Sequence, residues 1–190
     1  MTEIVGILLA AGRSRRFGSD KRLQPLADGT TMVLASARHL AAVCPRSIVV
    51  IRPDDTALAG LLAEAGLETV VCQAAEQGMG HSLAAGVAAS ADAAGWLVAL
   101  ADMPYIQPAS YRAVLDALQD GATLARPFHG GCPGHPVGFS AEHRGALLAL
   151  TGDQGGKAIL EAHRAALVAC PVVDPGVLKD VDLPAQIGPP

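Results

Sequence analysis

The residues best suited to chemistry stand near the start of the chain, in the stretch LLAAGRSRRFGSDKR from Leu8 to Arg22. Small residues at positions 10–12 let backbone N–H groups approach a phosphate closely. Arg13, Arg16 and Lys21 follow them, and these cations can neutralise a triphosphate, arginine through forked contacts and lysine as a point charge. The stretch carries a single acidic residue of its own, so we interpret it as a triphosphate-binding loop.

A second candidate is Asp102, which directly follows the apolar run GWLVALA. If that run is a buried strand, the carboxylate emerges at the carboxyl edge of a sheet. A hard oxygen ligand beside a triphosphate suits Mg²⁺. The plainer alternative is an Asp that initiates a turn after a strand, the common use of Asp-x-Pro.

The elements that must position these residues follow from the apolar pattern. Four short apolar runs, EIVGILL, SIVVIR, LETVVC and GWLVALA, predict strands, and helical stretches are predicted over 31–43, 54–65 and 80–90. Strands that are apolar on both faces suit a parallel sheet covered by helices on both sides. The cationic loop follows the first strand, which is where an open α/β sheet binds ligands.

The second half of the chain is less regular. Helices are predicted for QPASYRAVLDAL, AEHRGALLAL and GGKAILEAH, and a further strand could form at ATLARP. An irregular loop is predicted for RPFHGGCPGHP, which is rich in Gly and Pro. No linker, repeat or low-complexity segment separates parts of the chain. We therefore expect a single domain over residues 1–190.

Composition excludes several classes of protein. With 51% apolar and 17% charged residues, the 190-residue chain is not disordered. Aromatic residues are only 3% and the net charge is -4, so neither single-stranded nucleic acid nor polyanions in general are expected partners. Four scattered cysteines indicate free thiols, and no signal peptide or membrane span is predicted, so we expect a cytoplasmic protein without membrane association.

The loop matches neither of two well-known phosphate-binding patterns. Its glycines and lysine miss the Walker spacing Gly-x-x-x-x-Gly-Lys-Ser/Thr, and Gly-x-Gly-x-x-Gly is absent after the first strand. LLAAGRSRRFGSDKRLQPL instead resembles the signature loop of nucleotidyltransferases with a glycosyltransferase-A-like fold. The resemblance extends over nearly the whole chain through the further segments EQGMGHSLAAG, ALADMP, PGHPVGFS with TGDQGGKAIL, and KDVDLP. It is closest to the molybdenum cofactor cytidylyltransferases and the related guanylyltransferases.

The resemblance implies an α/β fold, a three-layer Rossmann-like domain with a mostly parallel central sheet, and it assigns roles to residues. The catalytic residues that it implies are Lys21, Arg16 and Asp102. The implied metal ligands for Mg²⁺ are Asp102 and Asp182, with Asp180 left open as an alternative to Asp182. The implied nucleotide-binding residues are Leu9, Ala10, Ala11, Gly12, Arg13, Gln73, Gly78 and Ser82. The implied acceptor-binding residues are His135, Asp153 and Lys157, the last standing where relatives usually carry arginine.

Further assignments have rivals in the sequence itself, and a histidine in a rigid turn is the rival for His135. The Gly78–Gly80 turn equally suits an ordinary connection between a strand and a helix. His129, Cys132 and His135 have the spacing His-x-x-Cys-x-x-His, which allows zinc, although a structural zinc site normally needs a fourth ligand.

The function implied by the resemblance is transfer of CMP from CTP to molybdenum-molybdopterin, with release of pyrophosphate. A molybdoenzyme or its maturation chaperone is then a possible protein partner. Relatives that use GTP tend to read Leu-Ala-Gly-Gly where this chain has alanine at both 10 and 11, which favours CTP. The alternatives are guanylyl transfer to the same acceptor, nucleotidyl transfer to another phosphate, and a carrier of the cofactor without catalysis.

Overall fold

A computed structural model describes residues 3–13 and 17–188 of the chain. The strands in these residues are β1 (Ile4–Leu9), β2 (Ser47–Ile51), β3 (Glu68–Val71), β4 (Gly95–Leu100), β5 (Leu124–His129), β6 (Cys132–Pro133), β7 (Val137–Ser140) and β8 (Leu167–Pro171). The α-helices are α1 (Met32–Ala41), α2 (Thr56–Glu64), α3 (Met79–Ala89), α4 (Pro108–Gln119), α5 (Arg144–Leu148) and α6 (Lys157–Ala162). The four strands and the helices predicted in the first half of the chain are confirmed, with bounds shifted by a few residues.

All of these strands belong to one sheet. β3, β2, β1 and β4 lie side by side and are parallel, and β7 then pairs antiparallel with β4. β5 pairs antiparallel with β7 and β6 and parallel with β8. The prediction of a mostly parallel central sheet in one α/β domain is confirmed.

The position of β1 determines where a ligand can bind. Leu9, its last residue, pairs with Val50 of β2 on one side and with Leu100 of β4 on the other. The chain leaves β1 toward β2 and β3, whereas β4 lies on the opposite side of β1. The connections therefore diverge at the carboxyl end of β1, and such a divergence opens a crevice in doubly wound sheets.

Helices cover both faces of the sheet. On one face, Leu8 of β1 packs in an apolar cluster with buried residues of α1, α2 and α4, such as Leu40, Leu62 and Tyr111. On the other face, Ile7 packs with residues of α3, α5 and α6, such as Leu83. The alternation of Ile7 and Leu8 between the two clusters is the period of a strand buried on both faces.

The interpretation of 126–136 as an irregular loop was wrong. Gly130 and Gly131 both have positive φ, 57° and 81°, and they form the two-residue turn of a hairpin between β5 and β6. Strands β7 and β8 were also not predicted. β7 has only four residues, and β8 is mostly exposed although its sequence, LVACP, is apolar.

Two predictions about the chain as a whole can be compared with the described residues. None of the helices in that part of the protein combines the length and the apolar character needed to cross a membrane. The four cysteines, at positions 44, 72, 132 and 170, are free thiols, as predicted.

Candidate active site

A cavity of about 480 Å³ opens at the carboxyl edge of β1 and β4. Its lining is formed by the loop after β1, the carboxyl end of β4, the start of α3, and two later segments that contain Asp153 and Asp182. The residues that line it are Leu9, Ala10, Ala11, Gly12, Arg13, Phe17, Lys21, Arg22, Ala75, Glu76, Gly78, Met79, Ser82, Leu100, Ala101, Asp102, Asp153 and Asp182. The cavity lies where the divergence of the connections around β1 places it.

Lys21 joins two carboxylates inside this cavity. Its Nζ donates to Oδ2 of Asp102 and to Oδ1 of Asp182, at 2.9 Å in each case. The side chain of Lys21 is only 11% exposed, and those of the two aspartates are 26% and 35% exposed. Burial by itself lowers the pKa of Lys21, but the hydrogen bonds and charges of both aspartates outweigh it, so the pKa of Lys21 is raised and the ammonium is retained.

Asp182 reaches Asp102 because of its neighbour in sequence. Val181 is fully buried against Phe17 and Met32, and its backbone N–H donates to the carbonyl of Asp102 at 2.9 Å. That bond holds the next residue, Asp182, beside the end of β4. Asp180, the alternative left open by the sequence, lines a different cavity.

The two aspartates form a donor set that fits a hard divalent cation. Oδ1 of Asp102 is buried and has no hydrogen-bond partner among the described residues, so one carboxylate oxygen remains for a ligand. Mg²⁺ is commonly bound by one or two carboxylates, with phosphate oxygens and water completing its octahedron. Asp102 and Asp182 supply those carboxylates at the edge of a cavity large enough for a nucleotide.

A buried ionic network holds the backbone of the loop after β1. Arg22 donates to both oxygens of Asp55 and to the carbonyl of Ala10. Arg52 donates to Asp55 as well and to the carbonyl of Gly12 at 3.2 Å. Because the carbonyls of Ala10 and Gly12 are bound on this side, the loop backbone is fixed where it lines the cavity.

Asp55 is the centre of that network. Its side chain is only 4% exposed, and it also accepts a hydrogen bond from the backbone N–H of Arg52. Burial by itself raises the pKa of Asp55, but the bonds and charges of Arg22 and Arg52 outweigh it and the pKa is lowered. Asp20 likewise has a lowered pKa because its bonds to Arg22 outweigh burial. Both carboxylates are therefore ionised near neutral pH.

Arg13, at the mouth of the cavity, is also paired with carboxylates. Its guanidinium lies 3.6 Å from Asp54 and forms an ion pair with Glu76. The side chain is 42% exposed, so these contacts are weak enough for a more highly charged ligand to replace them.

The start of α3 forms the opposite wall. Gly78 has a φ of +126°, a conformation that disfavours other residues, and the N–H of Gly80 donates to the carbonyl of Gly152 at 2.8 Å. A side chain on Gly80 would lie 2.8 Å from the carbonyl oxygen of Thr151, so glycine permits this close approach. The contact brings Asp153 to the cavity, whose lining also includes the buried Ser82.

A second, smaller cavity of about 230 Å³ adjoins the first, with Leu100 in the lining of both. It contains His135, Arg126 and Asp180. Burial, followed by the charge of Arg126, lowers the pKa of His135 to about 4 against the opposing effect of Asp180. The imidazole is therefore neutral at pH 7.

The model of the MobA-like NTP transferase domain matches residues 6–167. The chain belongs to this family. Over 96% of its length it is 30% identical to the purine catabolism protein PucB of Bacillus subtilis, covering 93% of that protein.

Solved structures agree with this membership. That of Rv0371c from Mycobacterium tuberculosis has a TM-score of 0.82 and 28% identity, covering 97% of this chain and 96% of that one. Its complex with manganese has a TM-score of 0.74 and 27% identity, covering 90% and 89%. Molybdopterin-guanine dinucleotide biosynthesis protein A from Archaeoglobus fulgidus has a TM-score of 0.67 at 17% identity, covering 97% and 95%, which shows the shared fold alone.

Most of the expected nucleotide-binding residues of this MobA-like domain meet in the first cavity, with Lys21, Asp102 and Asp182. Gln73 does not, because it follows the edge strand β3 and is exposed away from the cavity. Arg16 lies outside the described residues.

The expected acceptor residues are divided among three places. Asp153 lines the first cavity and His135 the second. Lys157 lies on the exposed side of α6, 78% exposed, where it pairs with Glu161 at 3.7 Å. The zinc alternative is not supported, since no three His, Cys, Asp or Glu side chains within the described ranges form a ligand group, and Nδ1 of His129 donates to the carbonyl of Val172.

Several residues of the cavity were not singled out in the sequence. Phe17, Glu76 and Met79 line it, and Arg22 and Asp55 hold its loop. The only local signal was the position of Glu76 and Met79 beside the Gly78–Gly80 turn. Asp55 gave none, because its partner Arg22 is 33 residues away in sequence.

Proposed function

We propose that this MobA-like NTP transferase transfers CMP from CTP to molybdenum-molybdopterin and releases pyrophosphate. Nucleotidyl transfer itself is the activity of the family. The observation that carries the proposal is the contact of Lys21 with both Asp102 and Asp182 at the end of the loop after β1. A cation between two carboxylates, in a cavity beside a phosphate-binding loop, supplies the parts that a metal-dependent reaction on a triphosphate requires.

In this proposal Asp102 and Asp182 would hold Mg²⁺, which would supply positive charge to offset that of the triphosphate. The donor set of hard carboxylate oxygens supports a divalent cation, and manganese is present in one structure of Rv0371c. Lys21 and Arg13 exchange their present carboxylate partners for phosphate oxygens. The backbone around Ala11 supplies N–H groups to the same phosphates.

The transfer needs no strong base on the protein. The phosphate of the acceptor is already anionic, so one of its oxygens attacks the α-phosphorus in line, and the bond between the α-phosphorus and pyrophosphate breaks. The protein contributes positioning and charge neutralisation. No described side chain has to accept a proton, which agrees with a cavity whose ionisable groups are carboxylates and cations.

Cytosine is preferred in this proposal because of Ala11. Ala11 belongs to the lining of the cavity and is only 8% exposed. A wall that carries this methyl group crowds a purine more than a pyrimidine, and such overpacking typically costs about 1–3 kcal/mol. Guanylyl transfer to the same acceptor is the runner-up.

Release of pyrophosphate tests the proposal against a cofactor carrier. The protein is incubated with CTP, Mg²⁺ and molybdopterin, and pyrophosphate is measured with and without each component. We expect release only when all three are present. A protein that binds CTP and molybdopterin but releases no pyrophosphate is a carrier, and the enzyme proposal then fails.

We also propose that the protein is located in the cytoplasm.

A further inference from the structure

The two aspartates proposed for the metal are held by the protein in different ways. Asp102 follows β4 closely, and the N–H of Ala101 still donates to the carbonyl of Leu9, so the sheet fixes the backbone there. Asp182 lies in an irregular segment, because no helix or strand includes residues 179–183. The direction of its carboxylate therefore depends on contacts that single residues make on either side of it.

Those contacts come from Val181 on one side and from Gln186 on the other. Val181 is fully buried, and its N–H donates to the carbonyl of Asp102. The residue after Asp182 gives no such anchor, since Leu183 is 47% exposed. Instead, Oε1 of Gln186 accepts from the N–H of Asp182 at 2.8 Å and from that of Leu183 at 2.7 Å. Gln186 thus holds the backbone of Asp182 from the side opposite Val181.

The turn that carries Gln186 is itself attached to the core of the protein. The N–H of Gln186 donates to the carbonyl of Leu183 at 2.9 Å, which closes the turn. The next residue, Ile187, packs against the buried Phe17 and Met32. The position of the Gln186 amide therefore follows from the packed fold, although its side chain lies at the surface.

Gly188 connects the same turn to the segment that contains Asp102. Its N–H donates to the phenolic oxygen of Tyr105, and its carbonyl accepts from Nζ of Lys179, at 2.5 Å in each case. The ammonium of Lys179 also lies 5.0 Å from the centroid of the Tyr105 ring. Because Tyr105 follows Asp102 closely in the chain, these contacts join the segments of Asp102 and Asp182 a second time, in addition to the bond of Val181.

The two bonds of Gln186 contribute orientation rather than pairing. The segment is at the surface, so water would pair with the same two N–H groups if the amide were absent. Water does not fix the direction of the backbone at Asp182, whereas an amide held by a packed turn does. Groups that orient a metal ligand typically change the metal affinity by about 10- to 100-fold when they are replaced.

We propose that Gln186 is a positioning residue for the metal site and that it acts through Asp182. Its amide oxygen holds the backbone at 182–183, so the carboxylate of Asp182 stays beside that of Asp102, as both do around Nζ of Lys21. The inference rests on the proposed function, in which the two aspartates would hold Mg²⁺. It adds a residue that does not line the cavity.

Mn²⁺ binding to the whole protein tests this inference without turnover. Water proton relaxation, which changes when Mn²⁺ binds to a protein, is measured with Mn²⁺ alone and with CTP, in the absence of an acceptor. Gln186→Met keeps the length of the side chain but removes the acceptor oxygen, and Gln186→Glu keeps an acceptor. Gln119→Met, at an exposed position on α4, is the matched control. Asp182→Asn gives the effect of losing the charge of the ligand itself, and thermal unfolding verifies that each variant is folded.

We expect Gln186→Met to bind Mn²⁺ about tenfold more weakly than wild type, and Asp182→Asn to lose more. Gln119→Met should match wild type, and Gln186→Glu should bind at least as tightly. Equal affinities of wild type and folded Gln186→Met would overturn the inference and leave the metal site intact. An equal loss in Gln186→Met and Gln186→Glu would also overturn it, because the acceptor would then have no role. Wild type that binds no Mn²⁺, alone or with CTP, would contradict the metal site of the proposed function itself.

Discussion

The ammonium of Lys21 lies 2.9 Å from Oδ2 of Asp102, so the residue proposed for the triphosphate and the residue proposed for the metal are in contact in the free protein. The same ammonium lies 2.9 Å from Asp182. Asp102 and Asp182 would hold a divalent cation, whose charge would balance the two carboxylates that Lys21 balances in this structure. Under the proposed function, the ammonium of Lys21 would then be available to phosphate oxygens of the nucleotide.

Replacing Asp102 with Asn should nearly abolish turnover while the protein stays folded. The amide is isosteric with the carboxylate, but it removes the negative charge that anchors Mg²⁺ and retains Lys21. Pyrophosphate release is measured across a series of Mg²⁺ concentrations, and thermal unfolding verifies the fold. Asp116→Asn, at an exposed position on α4, is the matched control and should behave as wild type. Substantial pyrophosphate release by folded Asp102→Asn would refute the metal assignment.

Replacing Lys21 with Ala should lower kcat/KM. The loss of transition-state stabilisation should be roughly 2–4 kcal/mol if the ammonium contacts charge that develops during transfer. The measurement is steady-state kinetics at saturating molybdopterin. Arg112→Ala, at an exposed position on α4, is the comparison, because it removes a cation that has no assigned role. Its kinetics should match wild type. Equal losses in both variants would mean that Lys21 acts only through the overall charge of the protein.

Replacing Asp55 with Ala should destabilise the protein by about 3–5 kcal/mol, because Arg22 and Arg52 lose their buried carboxylate. The loop carbonyls that these arginines hold are then released, so the KM for CTP should also rise. Urea unfolding and initial-rate kinetics measure the two effects. The neighbour Asp54, whose side chain is 58% exposed, provides the control, and Asp54→Ala should cost under about 1 kcal/mol. Similar unfolding midpoints for the two variants would contradict the role given to Asp55.

These contacts mark the limit of what the sequence predicts. The loop at positions 10–12 and Asp102 were predicted because each directly follows an apolar strand, and a strand end fixes the place of the next few residues. Asp55 was missed because it depends on β2 lying beside β1. The choice between Asp182 and Asp180 depends on the burial of Val181, which a short sequence motif does not reveal.

Stability should rise with pH between about 4 and 6.5 because of His135. Its pKa is about 4 in the folded protein and 6.5 without the fold, so in this window the unfolded chain binds one more proton. The contribution is complete above pH 6.5 and is lost as the pH falls toward 4, by at most about 3 kcal/mol. Urea unfolding of wild type and His135→Gln at pH 5 and pH 7.5 measures it. The variant should show the smaller difference between the two pH values, and equal differences would contradict a buried neutral imidazole.

The identity of the product tests the central claim most directly. Wild type and Ala11→Gly are each incubated with molybdopterin, Mg²⁺ and an equimolar mixture of CTP and GTP, and the products are identified by mass spectrometry. We predict that wild type adds CMP to the acceptor, favoured over GMP by about tenfold or more, and that Ala11→Gly reduces the preference. A wild-type product that carries mainly GMP would contradict the cytidylyl assignment. Unmodified molybdopterin, with CTP intact, would contradict nucleotidyl transfer to this acceptor.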